Sequence, residues 1–488
     1  MRIAALVVVV ATVACGDDGG QVTHDAAVDA PKMIDAPPDA DLDLLGSWID
    51  RYITSTGTTM VPMCSVAPNG VVIDQTSGGT TPYNGACKAD GTFRIMAPAS
   101  LGIYYLRLGS SYYETNKRTG IDFSTDHLGR SDPSPVAAVT LNMSLTGLDA
   151  WAAGDNIYAF SSNIGFSQVL SFTSGSPNNG DTAITATAPW SGFKIESNKL
   201  DTLTLLQLGA HTTGGGLAYT SLDRVFGAAP FTMANNTAAT ISGAFTTPTA
   251  SSLQLRVDSG SFNQFAAVSN PNATTTTLDG SLSATVSPDA KGAPALVAFG
   301  TPTNGVASVD FGTLTFGDPF PTGWKRMMRV QAVFQVPFTY AGITTNRGAT
   351  MTRIASYATA NTTIIDAILS PPTSPKFDDL DAHTATTVSL VPKLSWSAPT
   401  LGTPTDYEVQ VYEVTVVNLS SLKFSSVLKL TTKQTTVRIP VGVLLGQRQY
   451  VFSITARMRQ GIDIYTTPLQ NGETSATAET LTALVTTN

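Results

Sequence analysis

From Met328 to Tyr340 every second residue is apolar: Met328, Val330, Ala332, Phe334, Val336, Phe338 and Tyr340. Arg329, Gln331, Gln335 and Thr339 hold places between them. A period of two over this stretch predicts a strand with one buried face. The same alternation marks Leu253, Leu255 and Val257, then Tyr104, Leu106 and Leu108, and again Tyr450, Phe452, Ile454 and Ala456. Turn residues bound these runs. Asp90-Gly91 launches the strand Thr92–Met96, Gly102 turns the chain before Tyr104, and Gly317 to Gly323 read as a loop. His211 to Gly216, with three glycines, reads as a flexible hairpin loop. The pattern predicts an all-β chain, a multidomain string of antiparallel β-sandwiches.

The N-terminus breaks this rhythm. Arg2 precedes an apolar run from Ile3 to Ala14, and Cys15 follows, then Gly16-Asp17-Asp18-Gly19-Gly20. A short positive end, an apolar core of about 7–15 residues and a small residue before the cleavage point make a signal peptide. The run is shorter than the roughly 20 apolar residues a membrane-spanning helix needs. Placed before a cysteine, it resembles a bacterial lipoprotein signal, although Thr12 stands three places before Cys15 where an aliphatic residue is usual. The resemblance implies cleavage after residue 14, lipidation of Cys15 and a membrane partner through that anchor. The implied location is the bacterial cell envelope, at the outer membrane. An ordinary secretory signal with an incidental cysteine is the alternative, and it too exports the chain.

Charge sharpens the division. The chain carries 28 Lys and Arg against 36 Asp and Glu, a net of −8. Eight aspartates (17, 18, 25, 29, 35, 39, 41 and 43), with one lysine and no glutamate, lie between Gly16 and Asp43. Asp-Ala recurs at 25, 29, 35 and 39 among Pro31, Pro37 and Pro38. Such a segment buries little apolar surface and repels itself, so residues 15–43 are expected to form a disordered acidic tether. The remaining 445 residues hold 28 acidic and 26 basic side chains, a net of −2. This near-neutral body has no basic patch, so nucleic acid is not an expected partner. It is also too long for one core.

Three regions are expected in the body. Residues 44–135 contain Asp90-Gly91-Thr92-Phe93, then Pro98, Gly102 and Ile103 to Leu108. These residues resemble the core of carboxypeptidase-regulatory-like, transthyretin-type β-sandwiches, which implies a structural module without catalytic residues. Residues 136–372 are a middle β region of one or two domains, with a possible divide near 230. Residues 373–488 contain Pro392 to Trp396, Tyr407 to Tyr412, Thr436 to Pro440 and Tyr450 to Ala456. This order resembles a fibronectin type III domain, and the resemblance places Trp396 and Tyr450 in its core. With Cys15 lipidated, Cys64 and Cys87 remain, and in an exported chain they are expected to form a disulfide, two separate buried thiols being the alternative.

Candidate chemistry is sparse. The four histidines (24, 127, 211 and 383) show no H-E-x-x-H or i, i+4 pair, and no G-x-S-x-G or phosphate-binding glycine motif occurs. No catalytic residue, cofactor-binding residue or metal ligand is assigned. Asp378, Asp379, Asp381 and His383 read either as a solvated linker or as oxygen ligands for Ca²⁺. Tyr104, Tyr105, Tyr112 and Tyr113 read either as core and surface residues of strands or as an aromatic platform for sugars. The expected role is non-enzymatic binding or display of a protein or glycan ligand at the cell envelope. A secreted hydrolase or carbohydrate-active protein with a site in 136–372 is the alternative.

Overall fold

The Met328–Tyr340 alternation lies within a strand, Lys325–Tyr340, whose Met328, Val330, Ala332, Phe334, Val336 and Phe338 are all buried. It pairs antiparallel with Ile343–Ser356 across a two-residue turn. Ala341 and Gly342 take positive φ of 51° and 79° there, the backbone a type I′ hairpin needs. In this computed structural model the described residues are 43–98, 102–290, 294–301, 308–417 and 420–488. Cys15 and residues 15–42 of the expected tether lie outside them. Asp43, the last of the eight aspartates, is already inside the first strand, Asp43–Ser47, buried and 2.6 Å from the Arg94 guanidinium.

The described residues are all-β, with helix confined to Ser259–Asn263, Ala266–Ser269, Tyr357–Thr362 and one 3₁₀ turn. Near the N-terminus two sheets face each other. Asp43–Ser47 lies between Thr92–Met96 and Ile121–Asp122, and the facing sheet orders Thr80–Tyr83, Asn69–Ile73, Tyr104–Leu108 and Ser111–Thr115. Leu44, Phe93, Ile95, Tyr104, Leu106, Tyr113 and Phe123 fill the space between them. The Cys64–Cys87 disulfide forms, with Cα atoms 5.6 Å apart, closing a loop over a sequence separation of 23. A second core runs from Val139 to Phe245 around Leu141, Trp190 and Leu205. Towards the C-terminus, one sheet orders Leu380–Asp381, Thr373–Phe377, Lys393–Ser397 and Thr436–Arg438. Its partner orders Ser421–Thr432, Asp406–Val417, Gln449–Arg459 and Ser475–Leu481. Trp396 packs edge-on against Tyr407 at 5.3 Å between them. The Tyr450 hydroxyl accepts from the Leu445 backbone N–H at 3.0 Å.

Sheets continue from one region into another. Ser111–Thr115 pairs in parallel with Ser421–Thr432, and Ile343–Ser356 pairs antiparallel with Ser475–Leu481. Parallel pairing joins strands far apart in sequence, because no tight turn can connect them. At the first junction the fully buried Glu114 carboxylate accepts from the Tyr465 hydroxyl at 2.6 Å and from the Thr432 hydroxyl. The Thr115 hydroxyl donates to the Tyr465 carbonyl at 2.7 Å, and the Asp122 N–H to the Thr466 carbonyl at 2.6 Å.

Candidate functional site

A concave feature of about 480 Å³ opens on the N-terminal sandwich. It is lined by Trp48, Ser65, Val66, Ala67, Asn69, Arg107, Leu108 and Gly109. Three elements build it. Trp48 links the strands Asp43–Ser47 and Ile49–Thr54, and its indole packs 6.2 Å from the buried Phe123 ring. Ser65 to Asn69 follow the disulfide. The Met63 N–H donates to the Trp48 carbonyl at 2.9 Å, and the Gly85 N–H donates to Asn69 Oδ1 at 3.2 Å. Gly85 admits no larger residue, since a Cβ there would stand 2.1 Å from the Pro68 carbonyl. The third wall is the hairpin Tyr104–Leu108 and Ser111–Thr115, whose two-residue turn places Gly109 at φ +57°.

Register sets the polar groups. Asn69 stands directly opposite Arg107, and Arg107 directly opposite Tyr112, so the three form one row across three strands. Side chains opposite one another across a ladder share a face. Arg107 Nε donates to the Gly109 carbonyl at 2.9 Å, and its guanidinium lies 5.5 Å from the Tyr112 ring centre. These contacts hold the guanidinium on the Tyr112 face of the sheet, opposite the face on which Trp48 and Leu108 pack. Arg107 is the one charged residue in the lining, which holds no histidine, cysteine or carboxylate. An indole and an exposed valine give the cleft an apolar wall that suits binding.

The histidines read from the sequence are tied into local pairs, except His24, which lies outside the described residues. His127 Nε2 is 2.9 Å from Asp50 Oδ2 and 3.0 Å from the Thr125 hydroxyl, with Tyr52 stacked on the ring at 4.8 Å. A relay needs one ring nitrogen for the nucleophile and the other for the acid. Here the same nitrogen faces both. His211 Nε2 lies 3.0 Å from both Asp223 oxygens, and the Ser221 hydroxyl donates to Asp223 at 3.0 Å, not to the histidine. This is an ion pair with a hydroxyl attached to its acid. His211 and Thr212 are the last two residues of the strand Thr204–Thr212, so the loop expected at His211 to Gly216 is instead Thr213 to Leu217.

The Asp223 hydrogen bond holds the His211 pKa above its ordinary value, against the opposing effect of burial, with Asp155 and Asp149 adding to the rise. A pKa raised on folding stabilises the fold below the unfolded pKa of about 6.5 and stops doing so as pH rises through the folded value. His211→Gln is therefore expected to lower the melting temperature at pH 5 to 6 by more than it does well above neutrality. A penalty that grows with pH would contradict the ion pair.

Asp378 and Asp379 occupy a two-residue turn between Phe377 and Leu380, at φ 45° and 71°. Asp378 Oδ1 accepts from the Lys393 N–H at 2.9 Å, and Asp381 Oδ1 from the His383 N–H at 2.9 Å. These carboxylates serve turns, and no group of three or more metal-ligating side chains occurs among the described residues. Burial pushes the His383 pKa down. The reading of Tyr104, Tyr105, Tyr112 and Tyr113 as an aromatic platform is overturned, because all four are buried. Their hairpin has a core on each side. Trp48, Val66 and Arg107 escaped sequence reasoning: the only signal was Arg107 between Leu106 and Leu108, as any outward-facing strand residue would stand.

No family model matches the chain, and no curated protein matches it. Solved structures align with the chain only weakly, two among them as follows. The tetra-tandem repeat in the extending region of a large adhesion protein shares 12% identity over 90% of this chain and 98% of its own, at a TM-score of 0.11. Trypsin-activated alpha-2-macroglobulin from Escherichia coli shares 10% identity over 89% of this chain and 29% of its own, at a TM-score of 0.12.

Proposed function

We propose that the chain is an exported lipoprotein, held at a bacterial cell envelope through Cys15, whose β-sandwich body binds a ligand without carrying out chemistry on it. The cleft between Trp48, Val66 and Arg107 is the observation that carries this reading. Its walls are fixed by a disulfide, backbone hydrogen bonds and close glycine packing, and a preorganised surface loses little entropy on binding. The C-terminal sheet order and the Tyr450–Leu445 hydrogen bond support a fibronectin type III-like module as a carrier for that site.

Two variants test the two halves of the proposal. Cys15→Ser is expected to move the protein from the membrane fraction to the soluble fraction; unchanged retention removes the anchor. Ser65→Trp places a bulky ring in the cleft at an exposed position. Against a panel of envelope polysaccharides and peptides, wild type is expected to bind at least one ligand that Ser65→Trp does not. A panel bound equally by both proteins, with equal melting temperatures, removes the cleft as the site.

A further inference from the structure

We propose that the strand Gly57–Pro62 is a docking edge for a second copy of this chain, paired antiparallel about a two-fold axis at Thr59. The pairing is independent of the cleft and takes its strength from the lipid anchor of the proposed function. The strand lies at the rim of a sheet that orders Asp126–Leu128, Ile49–Thr54 and Gly57–Pro62. Every residue in it is exposed except Val61, which is half-buried, and Met60 is 62% exposed. Hydrogen-bond phase decides what the rim presents. The Arg51 N–H donates to the Thr125 carbonyl at 3.0 Å, and the Ile53 carbonyl accepts from the Gly129 N–H at 2.8 Å. Arg51 and Ile53 thus bond away from Gly57–Pro62. It is Asp50, Tyr52 and Thr54 that bond to it, opposite Val61, Thr59 and Gly57. The Met63 N–H, donating to the Trp48 carbonyl at 2.9 Å, keeps the same phase. Thr58 and Met60, opposite Ile53 and Arg51, therefore turn their N–H and C=O groups outward, and among the described residues no hydrogen bond to those groups is found.

A free, regular edge is a template for another strand, and proteins block such edges with charge, proline or a bulge. Thr80–Tyr83, which pairs only with Asn69–Ile73, carries Pro82. From Gly57 to Val61 there is no charge, no proline and no shift of register. Antiparallel self-pairing about Thr59 sets Thr58 opposite Met60 of the second copy, so each exchanges both backbone bonds with the other. Pro62, which has no N–H to give, stays outside those pairs. Thr59 meets its own copy as a close threonine pair, and Met60 packs beside Thr58 of the second copy. The tether argues for a second copy over a foreign strand. A contact limited to one short strand falls below the roughly 1,000 Å² expected of a stable interface, so free chains part readily. Residues 15–42 precede the body, and a coil of that length reaches about 30 Å. Two chains anchored side by side in one membrane thus meet at an effective concentration in the millimolar range. A foreign peptide has no such gain, and the edge offers it no charge to select its sequence.

Cysteine cross-linking of the full chain in its membrane fraction, with copper phenanthroline as oxidant, reads the register. Thr59 and its copy form a non-hydrogen-bonded pair with Cα atoms about 4.5 Å apart, inside the roughly 4.4–6.8 Å span of a disulfide. Met60 and its copy stand diagonally at about 7–8 Å, beyond that reach. Thr59→Cys is expected to give a disulfide-linked dimer, and Met60→Cys to stay monomeric. Thr58→Pro removes an outward N–H without touching a bond to Ile49–Thr54, and Met60→Lys brings a like charge from each copy to the shared rim. Either one, added to Thr59→Cys, is expected to cut the dimer by about tenfold or more at an unchanged melting temperature. In the Cys15→Ser background the Thr59→Cys dimer is expected at about 1 mM protein and lost at about 1 μM. A dimer at about 1 mM from a Cys15→Ser chain that still sediments with membranes removes the anchor and upholds the pairing. Equal cross-linking of Thr59→Cys and Met60→Cys, or a dimer indifferent to both Thr58→Pro and Met60→Lys, overturns it. So does a Thr59→Cys chain that stays monomeric on membranes and at about 1 mM, including one whose edge captures a peptide lost in Thr58→Pro.

Discussion

Tyr105→Ala is expected to destabilise the protein by about 3–5 kcal/mol, the range for truncating a large buried ring. Tyr105 would be an outward residue if the hairpin had one buried face, since Tyr104, Leu106 and Tyr113 already fill the N-terminal core. Yet Tyr105 is 4% exposed and meets Tyr112 edge-on at 6.5 Å within the large core that also holds Leu428, Leu430 and Val437. Residues more than three hundred positions away cover this face. Lys429, Leu430 and Thr431 pair with Ser111, Tyr112 and Tyr113. Urea unfolding followed by circular dichroism checks the value. The same measurement on Arg107→Gln, exposed on the same strand, is expected to shift by less than about 0.5 kcal/mol. A cost for Tyr105→Ala as small as that would mean the second face is not packed.

Asp406→Ala is expected to cost about 3–5 kcal/mol, because it leaves buried cations without their shared counter-ion. Asp406 is almost fully buried and lies 2.5 Å from Arg457 Nε and 3.0 Å from Arg459 Nη2, and it accepts from the Thr405 hydroxyl at 2.8 Å. Glu408 takes the other side of Arg457 at 2.5 Å. Burial works against the charge on Arg457, but Asp406 and Glu408 outweigh it and raise the pKa. For Arg459, burial and the neighbouring Arg457 prevail and lower it. Removing Asp406 takes away the favourable partner of both. Arg459 also donates to the Gln470 carbonyl at 2.8 Å and the Pro468 carbonyl at 3.1 Å. It thus fixes the segment whose Tyr465 and Thr466 bond to Glu114, Thr115 and Asp122. Guanidinium denaturation of Asp406→Ala and Asp406→Asn checks this. Both are expected to fall well below wild type, since the amide also lacks the charge, and a near-neutral Asp406→Asn would refute the ionic account.

Much of the fold was legible because each strand writes its buried face as a period of two. Lys325–Tyr340, Ala250–Val257 and Gln449–Arg459 bury the residues that alternation selects, except Tyr340, which is half-buried. Asp90-Gly91 ends in a turn before Thr92–Met96 because Gly91, at φ +84°, takes a conformation that side chains disfavour. The Cys64–Cys87 disulfide, expected from two cysteines in an exported chain, is formed. The site was not legible. Trp48, Val66 and Arg107 come from three separated segments, and nothing in the pattern of any one of them marks a cleft.

The sequence by itself determined that this chain is all-β, which faces its long strands turn inward, and that its acidity is concentrated before the body, since those properties follow from local alternation and composition. Only the tertiary structure decided that Tyr105 and Tyr112 are core residues and that Asp378 and Asp379 form a turn. It also decided that Arg107 stands beside Asn69 in one cleft with Trp48. The physical reason is range. A period of two reports which side of a strand is apolar, whereas a second buried face, a shared counter-ion or a cleft depends on which distant segment packs against it.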